Sequence, residues 1–286
     1  MTSERPEYEA AGELFAWESR EVAEAWRERW PLHEATLGVA TERMLDLAGV
    51  ATGDRVLDVA AGTGEQTLAV ARRVGPGGSV LATDISAAML AVAADVVRRE
   101  GRGNVATLVA DARRLDLPPG SFDAAISRFG VMLVGSSHDA LAAIRRALKP
   151  GGRFAAMVWS APGCNPLMAL PLEILADRGL LPPPAPGRPG PFALAAPGAL
   201  EDELRRAGFH GVAGESAVIR WRFPSPADAL AYLRLSTAAL PRETVRRLAG
   251  PDGVEFFAEV ERALGRFRGP DGLDLPGEVV IAVGAT

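Results

Sequence analysis

Hydrophobic and polar positions follow two rhythms along the chain. Short apolar runs of strand length recur at residues 56–59, 79–83, 105–109, 122–127 and 153–159. Between them, apolar residues fall three and four apart: Leu68, Ala71 and Val74, then Met89, Ala93 and Val97, then Leu141, Ile144 and Leu148. The first rhythm predicts strands and the second predicts helices packed on them, so their alternation predicts βαβ units around a parallel sheet. Punctuation agrees. Ser86 is placed to cap the second helix and Gly101 to stop it, while Ser136 and Asp139 stand in capping-box relation before the third, which runs out at Lys149-Pro150-Gly151-Gly152.

On either side of this core the pattern changes. Upstream, Leu14, Trp17, Val22, Trp26 and Trp30 predict a helix over residues 13–30, and Leu32, Leu37, Ala40, Met44 and Leu47 predict another over 32–48, with Pro31 separating the two. Residues 1–12 read as a frayed tail. Downstream of Ser160 the chain is rich in proline and glycine, with a helix predicted over 166–177 and a stiff, broken loop over 182–191. A short helix over 201–207, a strand over 214–223, helices over 226–239, 242–248 and 254–267, and a last strand over 278–283 complete the reading. No internal repeat or long flexible linker divides the chain.

The stretch after the first strand carries the chemistry. Ala60-Ala61-Gly62-Thr63-Gly64 joins strand to helix, and two glycines without Cβ let the backbone turn sharply and approach a ligand where helix N–H groups point outward. Twenty residues after Gly64, the second strand ends at Asp84, the place where a doubly wound fold offers a carboxylate to ribose hydroxyls. A nucleoside-type cofactor is the expectation. The dinucleotide fingerprint would need glycine at position 67, where the chain has Thr67, so nicotinamide or flavin binding is the second choice.

Composition narrows the remaining classes. A chain of 286 residues with 48% hydrophobic and 23% charged residues buries a good core, and disorder is excluded as the default. Net charge is −5 with arginines scattered among acids, which leaves no electrostatic footprint for a nucleic-acid backbone. Cys164 is alone, and His33, His138 and His210 are dispersed, so neither a disulfide framework nor a zinc cluster is expected, and no metal. Residues 1–13 are polar and acidic and no apolar run reaches spanning length, so the expectation is a reduced, cytoplasmic protein without a membrane span.

Taken together, VLDVAAGTGEQTL at 56–68, ATDIS at 82–86, VADA at 109–112, FDAAISRFGVML at 122–133 and LKPGGRF at 148–154 resemble the ordered motif set of class I S-adenosylmethionine-dependent methyltransferases. Within them the chain is similar to the small-molecule branch of ubiquinone and menaquinone biosynthesis and many natural-product enzymes. The motifs lie within residues 50–160, and Ala60 stands where the family's first motif glycine is expected. The resemblance implies a Rossmann-like α/β fold with a doubly wound seven-stranded sheet closed by an antiparallel partner. It implies N-terminal lid helices at 1–48, a cofactor-binding core at 49–160, and a segment at 161–286 that completes the sheet around a helical substrate cover.

S-adenosylmethionine is then the implied cofactor. Asp84 would bind its ribose hydroxyls, Ile85 and Ala112 would flank the adenine, and Asp111 would meet the exocyclic amine. Asp58 and the glycines Gly62 and Gly64 would hold the methionine end, and Ala60, Thr63 and Met89, with Ser127, Arg128 and Phe129 at the end of the fourth strand, complete the implied cofactor-binding set. The competing reading of Asp84 and Asp111 is a loop acid that only caps the next helix. Arg128 is open between an acidic acceptor, the cofactor carboxylate and a surface salt bridge.

The motif after the fourth strand, Ser127-Arg128-Phe129-Gly130, is not the Asn/Asp-Pro-Pro-Tyr/Phe of exocyclic-amine methylation of nucleobases. The expected acceptor is therefore an O or C atom of a small, partly hydrophobic metabolite, not nucleic acid, with homodimer formation left open. His33 is the first candidate for a base, since imidazole titrates near neutrality; the alternative is that it only packs. Trp26, Trp30, Met132, Trp159, Phe192 and Tyr232, with Met168 and Trp221, are candidate pocket walls, or simply core. Two other functions stay open: a non-methylating rearrangement or cyclisation on the same fold, and cofactor binding without turnover.

Overall fold

The computed structural model describes residues 17–181, 188–237, 240 and 242–286. Five strands, β1 (Arg55–Val59), β2 (Ser79–Asp84), β3 (Val105–Val109), β4 (Phe122–Arg128) and β5 (Leu148–Trp159), run parallel. In β1, β4 and β5 consecutive residues are buried, for example Val56 to Val59 and Phe154 to Trp159. Because successive side chains point to opposite faces, such runs are buried on both, which is why they read as unbroken apolar stretches. β3 lies at the sheet edge and leaves Leu108 and Val109 exposed.

Two long strands close the sheet. β6 (His210–Phe223) and β8 (Gly272–Ala285) are antiparallel to each other, β8 is antiparallel to β5, and the order is β3-β2-β1-β4-β5-β8-β6. This is the expected seven-stranded arrangement plus a two-residue strand, β7 (Arg268–Gly269), paired with β8. β6 and β8 are longer than predicted. β6 starts at His210, and β8 starts at Gly272, its ladder running through Pro276 and Gly277, which pair with Arg220 and Ile219 and carry no apolar rhythm of their own. β5 also starts earlier, because Leu148 pairs with Phe122 before an irregularity takes up residues 149–152.

The upstream helices need correction. α1 (Arg20–Arg27) begins after Ser19, whose side chain accepts from the Val22 N–H, and α2 (Trp30–Leu47) already contains Pro31. Proline at the second helical position lacks an N–H that would have no intrahelical partner there, so it starts this helix where it was expected to separate two. Residues 1–16, with Leu14 and the expected tail, lie outside the described residues, as do 182–187 of the expected loop and 238, 239 and 241.

The remaining helices are α3 (Glu65–Val74), α4 (Ala87–Arg99), α5 (Ser137–Ala147), α6 (Pro166–Asp177), α7 (Ala199–Arg206), α8 (Pro226–Ser236), α9 (Arg242–Leu248) and α10 (Pro251–Leu264). α10 starts earlier than expected, with Pro251 in its first turn, and a 3₁₀ turn over Gly265–Phe267 follows it. α2 packs on β5, β6, β8 and α3, and α1 packs on α4, so both upstream helices sit against the sheet and its covering helices. Among the described residues no helix is long and apolar enough to cross a membrane.

Candidate active site

The chain passes outward from β1 to β2 and β3, then returns to β4 on the other side of β1. Ligands in open α/β sheets bind beyond the strand ends at such a reversal. A cavity of about 300 Å³ lies there, between the ends of β1, β2 and β4, helix α2 and the β6–α8 segment.

The turn after β1 is built by positive backbone angles. Ala60, Gly62 and Gly64 have φ of 58, 57 and 91°. Ala60 therefore holds a conformation that its Cβ opposes, while the glycines do not. Gly62 donates its N–H to Asp84 Oδ2 at 2.8 Å, and Asp84 Oδ1 accepts from the Ser86 N–H at 2.9 Å. The carboxylate is thus tethered to both strand ends. Burial pushes Asp84 above the ordinary aspartate value, against the pull of the Ser86, Gly62 and Ile85 N–H groups.

Gly64 serves packing. A Cβ there would lie 2.8 Å from Ala93 Cβ and 3.2 Å from Ala93 Cα on α4, whereas one on Gly62 would meet nothing within 4 Å. Gly64→Ala is therefore expected to destabilise the protein by roughly 2–5 kcal/mol, combining the left-handed backbone with overpacking. Gly62→Ala should lose only the backbone part, about 1–2 kcal/mol. Urea denaturation of the two variants checks this, and equal losses would refute the packing role.

Asp58 lies beneath this turn and is not among the residues lining the cavity. Its Oδ2 accepts from Thr67 Oγ1 at 2.5 Å and its Oδ1 from Gln66 Nε2 at 3.2 Å. Thr67, at the missing third glycine of the dinucleotide fingerprint, plugs this buried carboxyl. Burial pushes Asp58 up to about 6, although Thr67, Gln66 and the Arg128 charge pull it down.

Ala60, Gly62, Thr63, Asp84, Ile85, Met89, Asp111 and Ala112 all line the cavity. Asp111 meets Arg113 through both oxygens, at 3.0 and 2.6 Å, and its carboxyl is held low by Arg113 despite burial. Arg128 and Phe129 line it too, whereas Ser127 is fully buried behind them with no partner for its hydroxyl. The surface salt bridge considered for Arg128 is ruled out. Its side chain is buried and paired with Glu65 at 2.8 Å.

Aromatic residues close the far wall. Phe129 stacks on Trp159 at 4.1 Å, and His33 sits among Trp26, Trp221 and Tyr232 with ring centroids 5.7 to 6.3 Å away. Met132, Met168 and Trp17 also line the cavity. Trp30 and Phe192 do not. Trp30 instead donates Nε1 to Thr63 Oγ1 at 2.9 Å, and Phe192 packs on the main core while Pro191 takes its place at the wall. The Nε1 of Trp26 is buried without a hydrogen-bond partner, on a residue that faces the cavity. Buried donors are rarely left alone, so this one is available to a ligand.

Sequence reasoning missed Glu65, which lines the cavity between Arg128 and His33. The available signal was an acid at the first helical residue after the glycine turn, pointing toward whatever the turn cradles. Trp17 was also missed as a wall. Its carbonyl accepts from Ser86 Oγ at 2.8 Å and its ring lies 6.1 Å from Trp26.

The profile of the ubiE/COQ5 methyltransferase family matches residues 39–182. The ubiquinone/menaquinone biosynthesis C-methyltransferase UbiE of Ectopseudomonas mendocina is 44% identical over 126 residues, 44% of this chain and 49% of that relative. The chain thus spans about half the length of that relative. A SAM dependent methyltransferase from Aquifex aeolicus superposes with a TM-score of 0.51 at 21% identity, over 68% of this chain and 90% of that one. The [4+2]-cyclase SpnF does so with a TM-score of 0.54 at 22% identity, over 86% and 80%. These structures establish a shared fold. Because this profile spans half of the chain, glycine turn included, the chain belongs to the ubiE/COQ5 methyltransferase family.

Proposed function

We propose that the protein is an S-adenosylmethionine-dependent methyltransferase that moves a methyl group to an O or C atom of a small, partly hydrophobic metabolite. The observation that carries this reading is the joint between Gly62 and Asp84 at the ends of β1 and β2, opening into an aromatic cavity. The residues present fit the cofactor. Asp84 offers a carboxylate for ribose hydroxyls, the backbone around Gly62 leaves room where a side chain would otherwise project, and the rings of Trp26, Phe129 and Tyr232 suit a cationic ligand.

When bound, S-adenosylmethionine supplies a methyl group on a cationic sulfonium that is already activated to leave. The protein's own task is to orient an acceptor, exclude water and take up a proton where the acceptor is a hydroxyl or an acidic C–H. Trp159, Trp221 and Tyr232 form the apolar wall for the acceptor, and His33 is the base. The relative's name, a C-methyltransferase, supports a carbon acceptor. Of this wall, Trp159 lies within the matched residues 39–182, whereas Trp221 and Tyr232 lie beyond them.

Calorimetric titration with S-adenosylmethionine, S-adenosylhomocysteine and NAD tests the reading. Micromolar binding of the first two and none of NAD is the expected result, and binding of NAD alone would overturn it. Mass spectrometry of acceptor products separates methyl transfer from rearrangement or cyclisation, since only transfer adds a methyl.

A further inference from the structure

Three ionisable side chains from three elements meet at the cavity wall: His33 in the first turn of α2, Glu65 at the start of α3 and Arg128 at the end of β4. Glu65 Oε2 accepts from Arg128 Nη2 at 2.8 Å and faces His33 Nδ1 at 3.2 Å. Its other oxygen accepts from Arg128 Nη1 at 3.4 Å, and that nitrogen also donates to Thr41 Oγ1 at 3.0 Å. The side chains of Arg128, Glu65 and His33 are only 7, 12 and 11% exposed, so the contacts are shielded from water and ions.

The chemistry of the three groups determines where the histidine proton lies. Burial pushes the Glu65 carboxyl up, but the charge of Arg128 and hydrogen bonds from His33 and Arg128 outweigh it and hold the group below its ordinary value. Glu65 is therefore a carboxylate, which can only accept. An acceptor beside Nδ1 requires that nitrogen to carry the proton, and a neutral imidazole then has its lone pair on Nε2. Arg128 supplies the counter-charge without competing for a proton, because a guanidinium does not deprotonate. The ring is held sideways by the edge-on contacts to Trp221 and Tyr232.

We infer that Glu65, braced by Arg128 and Thr41, is a positioning residue that holds His33 as the Nδ1–H tautomer and presents Nε2 as the basic nitrogen toward a methyl acceptor. The use of Nε2 rests on the methyl-transfer reading. The tautomer does not.

The test is long-range proton–nitrogen correlation of the imidazole rings in ¹⁵N-histidine-labelled protein, at about pH 8. The chain has three histidines, and a His33→Gln variant assigns the signal. In the wild-type protein His33 should show a protonated Nδ1 and a lone-pair Nε2. In Glu65→Leu, with folding checked by circular dichroism, the Nδ1–H majority should be lost. A wild-type spectrum with Nε2 protonated overturns the inference even if the variant does not fold, and so does a folded Glu65→Leu that keeps the Nδ1–H form. Failure of S-adenosylmethionine to bind would remove the proposed reaction while leaving the tautomer result standing, so the two failures are distinguishable.

Discussion

Asp84→Ala is expected to weaken S-adenosylmethionine binding by about 100-fold or more, read as a rise in the calorimetric dissociation constant. Two losses combine. Hydrogen bonds to a charged group are worth about 1.5–3 kcal/mol each, and two of them to a ribose diol already exceed the roughly 2.8 kcal/mol that 100-fold requires. The same carboxylate also tethers the Gly62 and Ser86 N–H groups, so its removal loosens the turn that must receive the ligand. Asp84→Asn keeps one accepting oxygen and should fall between the wild-type and alanine proteins. Unchanged affinity in Asp84→Ala would take the residue out of the site.

The second large effect is on stability. Asp58 titrates at about 6 in the folded protein, against about 3.9 for an unfolded aspartate. Between those values the folded chain keeps a proton that the unfolded chain has lost. Stability from this group therefore falls as pH rises through the window, and above about pH 6 the full penalty remains, on the order of 3 kcal/mol. Asp58→Asn cannot ionise, and its amide can still meet Thr67 and Gln66. The variant should match the wild-type protein near pH 4 and exceed its unfolding free energy by about 3 kcal/mol near pH 7. Taking the difference cancels the other carboxyls, which both proteins share. Urea denaturation at the two pH values decides it, and a difference that does not change with pH would show that Asp58 is not ionising in the folded core.

Much of the half that carries the glycine turn was readable because one kind of force places it. β1, β4 and β5 are buried parallel strands, so burial writes their positions as apolar runs, and the turn residues Gly62 and Gly64 are named by their backbone angles. Long-range polar pairing leaves no such trace. Glu65, His33 and Arg128 are separated by 32 and 63 residues, and nothing local in the chain distinguishes their meeting from three solvated side chains. The place of Trp30 is hidden for a similar reason: its indole donates to Thr63, a partner that periodicity cannot reveal. Pro276 and Gly277 hid the middle of β8, because a ladder between backbones does not need apolar side chains at every position.

The placement of the tryptophans gives the protein a built-in optical probe. Trp17, Trp26, Trp159 and Trp221 line the cavity, and the fifth, Trp30, is bonded to the turn beside it. None lies in β1, β2, β3 or β4. Tryptophan emission thus originates around the cavity, and a change in its intensity or wavelength reports what enters the cavity or how the surrounding helices are packed. Half of the sheet is dark in the same measurement, so emission and far-ultraviolet circular dichroism observe different parts of the same fold.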